Sequence, residues 1–244
     1  MIRKYKSELK SYYCYPNENT LDYLPYFVNN IKQDKLRELL SLIMMCGYRV
    51  GEALNSYIYK QDNRIIVQAP MEKKRKFTKH VMPGRGFLGA TYLNPLLGER
   101  KLWKNNVLQL HLFPEMKKGW LDNYITTDRS DPNWIFQSTA KNAWNGYKTY
   151  YKALHNYPPF EVKYILSEYQ IPSTVDYIPS FHFFRKCFCA EATRTKTFKN
   201  IVELTKYVGW EKLDMAMFYI KDYGKGDERD ALNMFNSSKF HYED

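Results

Sequence analysis

The stretch Leu39-Leu40-Ser41-Leu42-Ile43-Met44-Met45-Cys46-Gly47-Tyr48-Arg49-Val50-Gly51-Glu52-Ala53-Leu54 changes character at Gly47. Before it, Leu36, Leu39, Leu40, Ile43 and Cys46 recur at helical spacing, which predicts a helix with one buried face. Asn30, with Gln33 three residues on, is the capping pair expected at its start. Gly47 is the expected C-terminal stop, because only glycine enters the left-handed conformation at low cost. Arg49 follows at once. Taken alone it reads as a surface arginine at a helix start, and Glu52 as a partner that positions this corner.

Working outward, Ser56 to Lys60, Arg64 to Ala69 and Phe77 to Met82 are short runs with β-branched and aromatic residues. Gln-Asp-Asn and Glu-Lys-Lys-Arg-Lys separate them, so they predict a small three-stranded antiparallel sheet. Signals from Gly84 to about Asp131 are mixed. Residues 1–29 are polar and tyrosine-rich without a sustained period, and read as a loose arm. Ala143, Tyr147, Tyr150, Tyr151 and Leu154 form a helical stripe that Pro158-Pro159 ends.

Ser180 caps a helix whose buried side carries Phe184, Cys187 and Phe188, and on which His182 and Arg185, three apart, share a face. Asn200 and Glu203 form a second capping pair. Ile201, Leu204 and Val208 line the helix that follows, and Gly209 ends it. A further helix holds Met215, Phe218 and Tyr219, and Ala231 to Phe235 form a last amphipathic stretch. The expected fold is mixed, mainly α with a small three-stranded antiparallel sheet.

The chain has 244 residues, enough for one large or two small domains, and no internal repeat. Thirty-seven Lys and Arg against 26 Asp and Glu give 37 − 26 = +11, which favours a polyanionic partner, nucleic acid ahead of a membrane surface. The apolar run Leu39 to Cys46 is far short of the roughly 20 residues that span a bilayer. The opening Met-Ile-Arg-Lys-Tyr-Lys has no apolar segment of a secretory signal, so the expected compartment is the reducing cytoplasm. Cys14, Cys46, Cys187 and Cys189 show no paired spacing and no histidine at metal-ligand distance in sequence, and read as buried free thiols.

One order of residues ties these pieces together. Cys46-Gly47-Tyr48-Arg49-Val50-Gly51-Glu52-Ala53-Leu54 is followed by lysines in a hairpin and by His182-Phe183-Phe184-Arg185. Then come Val208-Gly209-Trp210 and a tyrosine nine beyond that tryptophan. From roughly Lys35 to Lys221 this resembles the catalytic domain of the tyrosine recombinase (phage-type integrase) family. The first segment looks like its TGLRxxEAL box and the second like its HxxR. The third stands where the family has Leu-Gly-His, and Tyr219 falls at the nucleophile. Trp134-Ile135-Phe136 is similar to the short segment before the family's central helices.

The resemblance implies a catalytic domain over 30–222, after an arm at 1–29 and before a tail at 223–244 whose helix docks on a neighbouring subunit or in cis. It implies site-specific DNA cutting and rejoining through a 3′-phosphotyrosine, without metal, cofactor or ATP. The partners implied are double-stranded DNA and further copies in a tetramer, in the cytoplasm, or in a host cell or nucleoid for a protein of a virus or mobile element. Type IB topoisomerases and telomere resolvases share this chemistry and stay open as alternatives, as does a catalytically silent DNA-binding paralogue.

The chemistry gives each residue a task. Cutting a phosphodiester needs a nucleophile, neutralised non-bridging oxygens and a proton for the leaving 5′ oxygen. Arg49 and Arg185 would clamp the phosphate, since a guanidinium stays charged and binds it with two parallel bonds. Tyr219 would attack. Lys73, ahead of Lys74, would protonate the leaving oxygen; His182 would assist proton transfer and the Trp210 indole would donate to the phosphate. Arg75, Lys76, Lys79, Arg85, Arg194, Lys196 and Lys199 would make sequence-independent phosphate contacts.

Overall fold

A computed structural model describes residues 14–70, 103–126, 148–164, 173–210 and 213–220. The chain divides into two compact units, Met1–Phe188 and Cys189–Asp244.

The first unit is organised around helix α2 (Asp34–Cys46). Leu36, Leu39, Leu40, Leu42, Ile43, Met44, Met45 and Cys46 are all buried, so the helix is enclosed on nearly every side rather than along one stripe. Gly47 ends it in the left-handed conformation with φ of 63°, its N–H donating to the Ile43 carbonyl. A Cβ on Gly47 would lie 2.5 Å from the ring of Phe188, so glycine is required for space as well as for conformation. Arg49 is the N-cap of the short α3 (Val50–Leu54), whose first turn contains Glu52.

Two sheets flank these helices in sequence. β2 (Tyr57–Gln61) and β3 (Arg64–Pro70) form a hairpin through Asp62-Asn63, both at positive φ, as a two-residue connection with the sheet's own twist requires. β4 (Trp103–Val107) pairs antiparallel with β3, and β5 (Ile125–Thr126) pairs parallel with β2, giving the order β4-β3-β2-β5. The second sheet is antiparallel, with β6 (Phe160–Tyr164) between β1 (Cys14–Tyr15) and β7 (Ser173–Tyr177). Helix α4 (Phe181–Arg194) follows, with Phe184, Cys187 and Phe188 fully buried and Ser180 accepting the Phe183 N–H.

In the second unit, Asn200 caps α5 (Ile201–Val208) by accepting the Glu203 N–H at 2.9 Å, and Gly209, at φ of 77°, ends it. Leu204 and Val208 are its buried residues at the expected spacing, and α6 (Leu213–Ile220) follows. All four cysteines are buried free thiols.

Several expectations are corrected. Residues 14–29 are not a loose arm: they hold β1 and helix α1 (Glu18–Asn29). Asn17 accepts the Thr20 N–H and Thr20 answers the Asn17 N–H, so a capping box starts a helix where no hydrophobic period was recognised. Asn30 is the C-cap of α1, and the N-cap of α2 is Gln33. The strand beside β3 among the described residues is β4, supplied from beyond the hairpin; Phe77–Met82 lies outside them. The sheet is therefore four-stranded and mixed, and a second sheet stands beside the single one expected. Residues 148–154 are helical with Leu154 buried but Tyr151 exposed, and Met215 of α6 is exposed while Ala216 and Tyr219 are buried. Trp134–Phe136, Ala143, Tyr147 and Ala231–Phe235 lie outside the described residues.

Candidate functional site

The chemistry of the first unit gathers on one carboxylate. Glu52 is fully buried, and its Oε2 accepts the backbone N–H of Arg49 at 2.8 Å while Oε1 accepts Arg49 Nη1 at 3.0 Å. The spacing does this locally: the third residue of a helix reaches back to the N-cap, which also holds the Arg49 side chain at the mouth of the corner. Lys104 of β4 places Nζ 2.9 Å from the same carboxylate, and Arg185 of α4 places Nη1 3.5 Å from it. Arg185 and Lys104 are buried; Arg49 is the most exposed of the three cations.

Three cations around one carboxylate leave 3 − 1 = +2 in a largely enclosed corner. Burial alone would raise the Glu52 pKa, but Lys104, Arg185 and Arg49, with the Arg49 N–H, overcome it and hold the group down at about 2. Burial lowers Lys104. Glu52 pulls it upward, Arg185 and Arg49 push it down again, and it rests at about 8. Its ammonium also lies 5.4 Å from the centre of the Tyr48 ring, and the Tyr48 hydroxyl donates to the Val67 carbonyl at 2.6 Å, fixing that ring against β3. Beside these charges the Cys46 thiol is pushed far up by burial and stays protonated. Such an arrangement suits a multivalent anion that offers several oxygens at once.

Of the residues expected in the site, Arg49 and Arg185 meet at this corner. His182 does not share the surroundings of Arg185: it is exposed in the first turn of α4, where Arg185 one turn on is buried. Residues three apart on a helix differ in direction by about 60°, enough to separate a solvent position from a core one. Lys73, Lys74, Arg75, Lys76, Lys79 and Arg85 lie outside the described residues.

In the second unit, Tyr219 of α6 is buried, and its ring centre lies 4.6 Å from that of Trp210. Arg194 is engaged by Glu191 through bonds of 2.8 and 3.1 Å, so its guanidinium is committed to an ion pair within α4. Lys196, at positive φ, and Lys199 are exposed.

Sequence reasoning missed Lys104. The run Trp-Lys-Asn-Asn-Val gives little hydrophobic alternation, yet period two puts Lys104 and Asn106 on one face, and both are buried. Among the described residues no group of His, Cys, Asp and Glu forms a metal site, and no helix is long and apolar enough to cross a membrane.

No family model matches this chain, and no curated protein sequence does. Among solved structures, it is similar to the XerH site-specific recombinase bound to difH substrate in a pre-cleavage complex. The identity is 13% and the TM-score 0.44, over 89% of this chain and 53% of that one. It is similar also to the same recombinase on palindromic difH substrate in a post-cleavage complex, at 13% identity and a TM-score of 0.45, over 95% and 54%. The chain thus spans about half the length of those recombinase chains. At that identity and degree of superposition the likeness assigns this chain neither a family nor an activity.

Proposed function

We propose that this chain is a DNA strand-cleaving and rejoining enzyme of the tyrosine recombinase type. The observation that carries the proposal is the convergence of Arg49, Lys104 and Arg185, from three separate parts of the sequence, on the buried carboxylate of Glu52. A corner with surplus positive charge, two guanidiniums and an amine near neutrality has the parts a phosphodiester transfer requires of its phosphate pocket.

In this reading the two guanidiniums bind the non-bridging oxygens of the scissile phosphate. Tyr219 attacks phosphorus and gives up its hydroxyl proton to solvent, the bond to the 5′ oxygen breaks, and a 3′-phosphotyrosine forms. A 5′ hydroxyl reverses the step by attacking that ester. Lys104 gives the proton to the leaving oxygen. Its lowered pKa suits the role, because a general acid works best when its pKa lies near the working pH. Lys73 and Lys74, expected from sequence for that task, become the controls.

The test is a duplex nicked close to the cleavage site, whose released fragment diffuses away and traps the covalent complex on a denaturing gel. The expected result is an adduct with the protein that Tyr219→Phe abolishes without weakening DNA binding. An adduct that persists in this variant makes another residue the nucleophile, and no adduct on any duplex ends the proposal. Lys104→Met should slow cleavage by a factor of about 100 or more, and a 5′-phosphorothiolate leaving group, which needs no proton, should restore most of the rate. Rescue in Lys73→Met instead returns the role to the hairpin.

A further inference from the structure

Lys186, next in sequence to Arg185, is fully buried in α4. Its Nζ donates to the backbone carbonyl of Cys14 at 2.8 Å and lies 4.0 Å from the centre of the Tyr15 ring. Cys14 and Tyr15 are the described residues of β1, and they pair with Tyr164 and Lys163 of β6. β1 is an edge strand of the second sheet among the described residues. A buried ammonium on one of its carbonyls and over the face of its tyrosine adds a charge-assisted hydrogen bond and a cation–π contact. Burial lowers the Lys186 pKa to about 8, with the Cys14 and Cys187 thiols acting in the other direction.

Consecutive residues on an α-helix point about 100° apart. Arg185 therefore reaches toward the Glu52 corner, and Lys186 toward the edge of the second sheet. The two contacts fix α4 against rotation about its axis. The Arg185 contact is the longer of the two, at 3.5 Å. A turn of about 10° moves an atom ~5 Å off the axis by roughly 1 Å.

We infer that Lys186 is a positioning residue for Arg185: by gripping β1 it sets the rotation of α4 and thereby the placing of the Arg185 guanidinium. The inference rests on the proposed phosphate-binding role of Arg185 for its catalytic consequence, and on geometry alone for the position. It also gives residues 14–15 a task in the site, where the sequence suggested an arm.

Two readouts separate these levels. The first is the Nε–H resonance of Arg185 in a 15N-labelled protein, assigned by its loss in Arg185→Lys; it needs no activity. The second is the single-turnover cleavage rate constant at saturating nicked duplex. Lys186→Met should shift the resonance and slow cleavage about tenfold or more while DNA affinity changes less than about twofold. Lys186→Arg, which keeps charge and donor, should stay within about threefold of the wild type. Thr20→Val is the control. It removes a bond of 2.7 Å from α1 to the Glu161 carbonyl of β6, and with it the Thr20 half of the α1 capping box, without touching Lys186, and should leave both readouts in place.

Should Lys186→Met not fold, Tyr15→Leu removes only the ring contact and should move the resonance the same way. An unmoved resonance in the folded variants overturns the inference, and so does a moved resonance with an unchanged rate constant. A wild type that cleaves nothing refutes the functional reading instead, and the resonance then decides the positional claim by itself.

Discussion

Among the described residues of the first unit two lysines are buried, and both rest near pKa 8, but their surroundings differ in kind. Lys104 sits with two guanidiniums around a carboxylate, where each group's state depends on the other three. Lys186 sits on a backbone carbonyl and an aromatic face, at a junction between a helix and the strand β1. The contrast separates a charge cluster able to exchange partners with an incoming anion from a charge used as a fastener. In the corner, Glu52 is the countercharge of three cations that can be shared with a phosphate. At the junction nothing is gained by exchange, because the carbonyl of Cys14 belongs to the fold.

The largest effect should come from removing the shared countercharge. Glu52→Gln leaves three cations around a neutral amide, and breaking a buried ion pair from one side costs about 3–5 kcal/mol. Urea unfolding should report it as a lower midpoint at unchanged slope. Glu52 has a folded pKa of about 2 against an ordinary 4.5. Its contribution is complete above 4.5 and fades as pH falls toward 2, so the wild type should lose its advantage over Glu52→Gln across that range. A stability difference independent of pH there would mean that Glu52 is not the ionised centre of the cluster.

Next in size is Arg185→Ala. Loss of one preorganised donor typically costs ~3 kcal/mol of transition-state stabilisation, so the single-turnover rate should fall by about 100-fold or more. The same substitution removes a positive neighbour that holds the Lys104 pKa down. The residual cleavage should therefore keep its alkaline fall, from loss of the Lys104 proton, but at higher pH than in the wild type. An alkaline limb that stays in place would show that Lys104 does not supply the proton.

Much of this corner was legible in the sequence because its cues are local. Gly47 announces a helix end, and Glu52, three residues after Arg49, announces a capping carboxylate; the structure has both. Arg185 was legible from its resemblance to the HxxR motif, His182-Phe183-Phe184-Arg185. Lys104 was not, since a lysine in a polar strand has no local mark of burial; its ammonium meets Glu52 and the Tyr48 ring only once β4 pairs with β3. β1 failed for the same reason. Its two described residues show no period by themselves, and their place depends on β6, almost 150 residues downstream. Lys186 did leave a trace that went unused: a second cation in Phe-Phe-Arg-Lys-Cys-Phe-Cys-Ala cannot reach solvent on a helix buried through that span.

The smallest effect is the one that most sharpens the comparison of the two lysines. For Lys186 the folded pKa of about 8 lies below the ordinary 10.5, so between those values the unfolded chain carries a proton that the folded chain has released. Stability from this group therefore rises with pH across that window, and is lost as pH falls back through 8. Lys186→Met abolishes this linkage. From pH 8 to pH 10 the wild type should gain on the variant by on the order of 2 kcal/mol, read from paired urea melts. The thiols act oppositely, since burial pushes Cys14 up to about 11 and the folded state keeps that proton. Because both proteins carry Cys14, taking the difference between their melts largely removes its contribution. A flat difference would mean that Lys186 stays charged in the fold throughout, held by the Tyr15 face strongly enough to offset its burial. The fastener would then be tighter than its pKa implies, and the corner alone would contain an amine that titrates near neutrality.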